Sequence, residues 1–113
     1  MAVNKKEEFS EQDNNIASFA KALSHPARVS ILKTLAEKNT CICGEIVDVM
    51  PLSQSTVSQH LKELRNAGLI VGKIDGTASC YFINWENLDK ELNDLNMLAE
   101  FLRKKSKTYK CCT

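Results

Sequence analysis

Apolar residues recur at helical intervals through most of this chain and change to a strand pattern once. Phe9, Ile16, Phe19, Ala20 and Leu23 predict a helix over about 5–24. His25-Pro26 breaks it, because a residue ahead of proline is pushed out of the α region. Pro26 then suits the first turn of a second helix, whose apolar face is Val29, Ile31, Leu32 and Leu35 and whose stop is Asn39. Cys43, Ile46, Val47 and Met50 follow an i, i+3, i+4, i+7 rhythm and predict a short third helix over 40–50, limited by Pro51. Ser53 is a fitting N-cap for a fourth helix over 54–67, with Val57, Leu61 and Leu64 turned inward and Gly68 as the C-terminal stop.

The period then changes. Residues 69–74 read as a strand, Asp75-Gly76 as a hairpin turn, and 79–84 as the return strand. Leu88, Leu92, Leu95, Leu98, Ala99 and Leu102 give a last helix over 85–105 a wide apolar stripe. The order ααααββα is that of a mainly helical winged helix-turn-helix domain with an extra helix at each end. The whole chain, 1–113, reads as one such domain, ordered over about 5–105 and ending in a basic, cysteine-containing tail over 106–113.

The predicted fourth helix carries the candidate chemistry. A helix that reads DNA needs an apolar side to hold it and a short-chain polar side to reach base edges. Ser55, Ser58, Gln59 and Lys62 share one side of it, opposite Val57, Leu61 and Leu64. Glutamine can bond adenine, serine several bases, and lysine a phosphate or guanine. The free N–H groups at the helix start, by Gln54, Ser55 and Thr56, suit a phosphate. Net charge is only +1, so the case for nucleic acid rests on distribution rather than total. Lys62, Arg65 and Lys73 mark the centre as basic. The basic tail is either a solvated helix end or a further DNA contact.

Composition narrows the class. The chain has 43% hydrophobic and 26% charged residues, a globular profile. Neither a membrane-length apolar run nor a secretion signal is present, so a cytoplasmic protein with no membrane partner is expected. Five cysteines, an odd number, argue against a disulfide framework and for metal, metalloid or redox chemistry. No Cys-x-x-Cys, no βαβ order and no Cys–His–Asn set is present, so an enzyme is not expected, nor an organic cofactor.

Four segments resemble the ArsR/SmtB family of metal-sensing winged-helix repressors. They are residues 25–32 (HPARVSIL), 41–46 (CICGEI), 52–62 (LSQSTVSQHLK) and 67–70 (AGLI). The resemblance implies a homodimer formed through the first and last helices and bound to double-stranded operator DNA. It places His60 among the motif residues, with a weak DNA role beside a structural one. The family wing often carries arginine before its glycine; here Asp75 stands there, which makes Lys73 and Thr77 the better wing contacts.

Cys41-Ile42-Cys43 is a candidate trap for a soft ion, because thiolates favour soft metals and metalloids. In the family a Cys-x-Cys at this place looks like an arsenic, antimony, cadmium or lead site. Arsenic sensors of one type add a third cysteine three residues on, where this chain has Ile46. Trivalent arsenite takes three thiolates, so two readings stay open. Cys111 or Cys112 from the tail completes the site, or Cys41 and Cys43 alone hold a methylated arsenical with two exchangeable positions. Cys111 and Cys112 could equally be exposed, unengaged thiols. Cys80 reads as a packing residue. The expected effector is trivalent arsenic, with cadmium, lead or thiol oxidation as alternatives. The last helix has no histidine, which speaks against a zinc or nickel site there.

Overall fold

A computed structural model of the chain describes residues 5–38, 50–75 and 78–108. A 3-10 turn, Lys5–Glu8, precedes helices α1 (Glu11–Ala22) and α2 (Pro26–Lys38). Helix α3 (Gln54–Asn66), strands β1 (Ile70–Asp75) and β2 (Ala78–Ile83), and helix α4 (Trp85–Ser106) follow. The short helix expected over 40–50 lies outside the described residues except for its last position, the buried Met50.

The first expected helix is divided. Ser10 stops the 3-10 turn and caps α1, its Oγ accepting from the Asp13 N–H at 3.0 Å. A serine side chain competes for backbone donors in this way at helix starts, so it ends one element and begins the next. The turn into α2 runs as expected through His25-Pro26. His25 Nδ1 accepts from the Ala27 N–H at 3.0 Å, and Arg28 reaches back to the carbonyls of Lys21 and Ala22 at the open end of α1.

Helix α3 ends on Gly68, which takes φ +79°, a conformation costly for residues with a Cβ. Gly68 N–H donates to Arg65 O and Leu69 N–H to Leu64 O, the paired bonds of a Schellman cap. The cap is also a joint. Asn87 Nδ2 donates to Gly68 O at 2.9 Å, and a Cβ at Gly68 would meet that nitrogen at 2.9 Å. Asn84 N–H donates to Leu69 O, and the Asn84 side chain caps α4. The entry of α4 is thus fixed to the exit of α3.

β1 and β2 form a two-stranded antiparallel hairpin, in register from Ile70↔Ile83 to Asp75↔Ala78. Asp75 therefore belongs to the strand rather than the turn; Gly76 and Thr77 lie outside the described residues. The core gathers Phe19, Ile31, Leu35, Leu64, Leu69, Ile83 and Leu88, drawn from all four helices and the hairpin base. α1 packs on α4, and α2 on both α3 and β2. No helix among the described residues is long and apolar enough to cross a membrane.

Candidate nucleic-acid interface

Helix α3 divides as its sequence predicts. Val57, Leu61 and Leu64 are buried, while Gln54, Ser55, Thr56, Ser58, Gln59 and Lys62 are exposed. The start of the helix is held by a hydroxyl cluster. Ser53 Oγ accepts from the Thr56 N–H at 3.4 Å and lies 2.9 Å from Thr56 Oγ1 and 3.2 Å from Ser55 Oγ. No acidic residue occupies the first turn, so nothing there offsets the positive end of the helix dipole. Gln59 Nε2 donates to Glu63 Oε1 at 3.2 Å, which orients the amide along the exposed face.

His60 stands apart from these residues. It is only 7% exposed and turns inward with the apolar side of the helix. Its Nδ1 accepts from Arg28 Nε at 3.2 Å, and its ring lies 4.3 Å from that of His25 at a 40° tilt. Burial, chiefly, and then the neighbouring His25 and Arg28 push the pKa of His60 below its usual value, against a smaller opposing effect of Glu63. The neutral imidazole is the form that can accept the Arg28 bond. This cluster ties α2, the end of α1 and α3 together, a position unlike that of the other α3 polar residues. Sequence reading missed Arg28. Its role depends on partners far along the chain, and nothing local marks it.

The wing continues the same surface. Tyr81 packs over Gly72, where a Cβ would meet its ring at 3.1 Å and the Arg65 stem at 3.6 Å. That contact joins the last turn of α3 to the hairpin. Lys73 lies in β1 opposite Cys80 in β2, and Thr77 lies outside the described residues. Cys80 is half-buried and disulfide-bonded, where the sequence led to a packing residue and to no disulfide. Cys41, Cys43, Cys111 and Cys112 all lie outside the described residues. Among the described residues no group of three or more His, Cys, Asp or Glu side chains is placed to hold a metal ion.

A capped helix with a polar outer side, set on a three-way helical joint and followed by a two-stranded wing, defines a winged helix-turn-helix DNA-binding regulator. Residues 25–71 match the family model described as bacterial regulatory protein, arsR family. An arsenical resistance operon repressor of Bacillus subtilis is 36% identical over 95 residues, covering 81% of this chain and 85% of that one. The chain belongs to the arsR family and is a DNA-binding transcriptional repressor, not an enzyme. The repressor SmtB of Mycobacterium tuberculosis is 39% identical over 61 residues, 54% of this chain but only 44% of its own length. A homodimeric winged helix-turn-helix domain from Mycobacterium bovis has the same fold, with a TM-score of 0.60 and 24% identity over 88% of this chain and 89% of that one.

Proposed function

We propose that the chain is a dimeric, cytoplasmic repressor that releases its operator when trivalent arsenic binds cysteine thiolates. The observation that carries this reading is the position of Cys41 and Cys43, between the α2 scaffold and the exposed helix α3. The similarity to the arsenical operon repressor supports it. Cys41 and Cys43 supply two thiolates, and Cys111 or Cys112 is the proposed source of a third. Without a third, the pair suits a methylated arsenical.

On the DNA side, Ser55, Ser58 and Gln59 meet base edges in the major groove. Gln54, Thr56 and Lys62 take phosphates, with Lys73 and Thr77 reaching from the wing. His60 supports the helix from beneath. The dimer uses α1 and α4; Phe9, just ahead of α1, and Leu92, Leu95, Leu98, Phe101 and Leu102 of α4 are exposed.

Binding at the thiolates changes the segment between α2 and α3, and α3 is held by α2. An effector that favours the arrangement with poor operator fit weakens DNA binding by the factor that DNA weakens effector binding. A coupling of about 1–3 kcal/mol gives about a 5–150-fold change. Titrating arsenite into a gel-shift assay should release operator from the wild-type dimer and leave Cys41→Ser/Cys43→Ser bound. A double variant that responds as the wild type does would refute the thiolate reading. A second reading, a divalent soft ion such as cadmium or lead, rests on the same thiol chemistry. Near-ultraviolet thiolate absorbance on adding cadmium, with operator release by cadmium but not arsenite, would select it.

A further inference from the structure

We propose that Arg65 is a DNA-backbone contact held in place by the wing. Tyr81 and Gly72 pin its stem at the junction of α3 and the hairpin, and its guanidinium takes a phosphate that passes between them. The proposal rests on the reading of α3 as the helix in the major groove and adds a residue to it.

Ser58, Lys62 and Arg65 stand at i, i+4 and i+7, so they form one line along the exposed side of α3. Arg65 lies in the last turn, about 10 Å along the axis from Ser58. There the line meets the wing. Gly72 pairs with Tyr81 across the hairpin, on the side that carries Ile70 and Ile83 into the core, and β1 packs on α3. A Cβ at Gly72 would meet Tyr81 Cε1 at 3.1 Å, Tyr81 Cδ1 at 3.4 Å and Arg65 Cδ at 3.6 Å. A glycine inside a strand weakens it, and here the bare Cα lets ring and stem close over the strand. Arg65 is exposed all the same, so its stem covers the hairpin while its head stays in water. No hydrogen bond or ion pair to another described residue engages that head. Glu63, the acidic residue of α3, is engaged by Gln59 instead.

A helix in the major groove and a hairpin beside it straddle one strand of the duplex, whose phosphates pass the junction. A guanidinium fits a phosphate through paired N–H donors. Ordering a long, free side chain weakens binding, and a pinned stem has lost part of that freedom before DNA arrives. Arg65 also stands at the negative end of the helix dipole. That role needs neither Tyr81 nor Gly72, and it is felt in stability rather than in the salt dependence of DNA binding.

The test uses the full-length protein and two duplexes, one of random sequence and one selected from such a pool by the wild type. Arg65→Gln should lower the salt slope by about one unit on both and weaken both about 10-fold at about 0.1 M salt, with the thermal midpoint nearly unchanged. Arg65→Lys should keep the slope. Tyr81→Leu frees the stem without removing charge, so it should keep the slope and lose about 3–10-fold in affinity. Gly72→Ala pushes the ring aside and should do the same, which covers the case that Tyr81→Leu folds poorly. In the Arg65→Gln background either change should cost less than about twofold. An unaltered salt slope in Arg65→Gln would overturn the proposal. So would losses at Tyr81 and Gly72 that persist in full without Arg65, since the wing would then act on its own. If instead Gln59→Ala loses no discrimination at any position of the selected duplex, the groove reading of α3 falls, and the Arg65 slope on random DNA tells the two failures apart.

Discussion

Helices α3 and α4 have the same kind of sequence, an apolar stripe opposite a charged side, yet they end in opposite conditions. α3 buries its stripe within its own chain: Val57, Leu61 and Leu64 sit in the core and the polar side faces out. α4 buries only Leu88 and leaves Leu92, Leu95, Met97, Leu98, Phe101 and Leu102 exposed along its 22 residues. A hollow of about 260 Å³ lined by Leu23, Val29, Leu32, Trp85 and Leu92 runs beside it. An apolar stripe says that a helix has a partner. It does not say whether the partner is in the same chain. For α3 the partner is α2 and the hairpin base; for α4 much of it has to come from elsewhere, and a second copy is the proposed source.

Two substitutions separate those cases. Leu64 is fully buried, and Leu64→Ala should cost about 2–5 kcal/mol through lost transfer energy and the cavity left behind. Denaturant unfolding should show this loss at every protein concentration. Phe101 is 58% exposed, with Lys105 Nζ 5.6 Å from its ring. Phe101→Ala should weaken the proposed dimer by about 2 kcal/mol, or about 30-fold, with little change in the helical content of the monomer. Sedimentation equilibrium reads the association directly, and the midpoint of thermal unfolding should lose its concentration dependence. If Phe101→Ala destabilises the chain as Leu64→Ala does, the contrast between the helices is false.

The difference also marks what the sequence could reveal. α2, α3, both strands and α4 fall within a residue or two of expectation, because their periods are long and several ends carry strong signals: Pro26, Ser53 and Gly68. The division at Ser10 was missed because the apolar rhythm from Phe9 to Leu23 runs across it, and one hydroxyl decided the matter. Asp75 was placed in the turn on its dipeptide, while pairing with Ala78 extends the strand through it. His60 was readable in principle. Val57, His60, Leu61 and Leu64 stand at i, i+3, i+4 and i+7, so the histidine belongs to the buried stripe, and its family motif drew attention to the groove instead. The disulfide at Cys80 has no local signature, since bonding between distant cysteines depends on tertiary approach. The thiolate set at 41, 43, 111 and 112 stays a reading of the sequence.

A smaller effect tests the outer side of α3. Gln59→Ala should cost about 1–3 kcal/mol of discrimination at one operator position and little elsewhere. Lys62→Ala should instead weaken binding to all sequences and lower the salt slope by about one unit. Competition binding to operator variants at two or more salt concentrations distinguishes them. Equal behaviour of the two variants would mean that α3 lies on the backbone rather than in the groove.

The smallest expected effect near neutral pH concerns the joint beneath α3. His60 has its pKa lowered in the folded chain, mainly by burial and then by His25 and Arg28. In the unfolded chain it titrates near its usual value of about 6.5. Above that value both states hold a neutral His60, so stability should not change with pH on its account. Below it the unfolded chain takes up the proton first, and stability falls as the pH falls toward the depressed folded value. Protonation at Nδ1 also removes the acceptor for Arg28 Nε, so the tie from α2 to α3 is lost with the stability. Unfolding midpoints measured from pH 7.5 down to 5 should decline more steeply for the wild type than for His60→Gln, which has an uncharged acceptor and cannot titrate. Parallel curves for the two proteins would show that the joint is indifferent to the charge of His60.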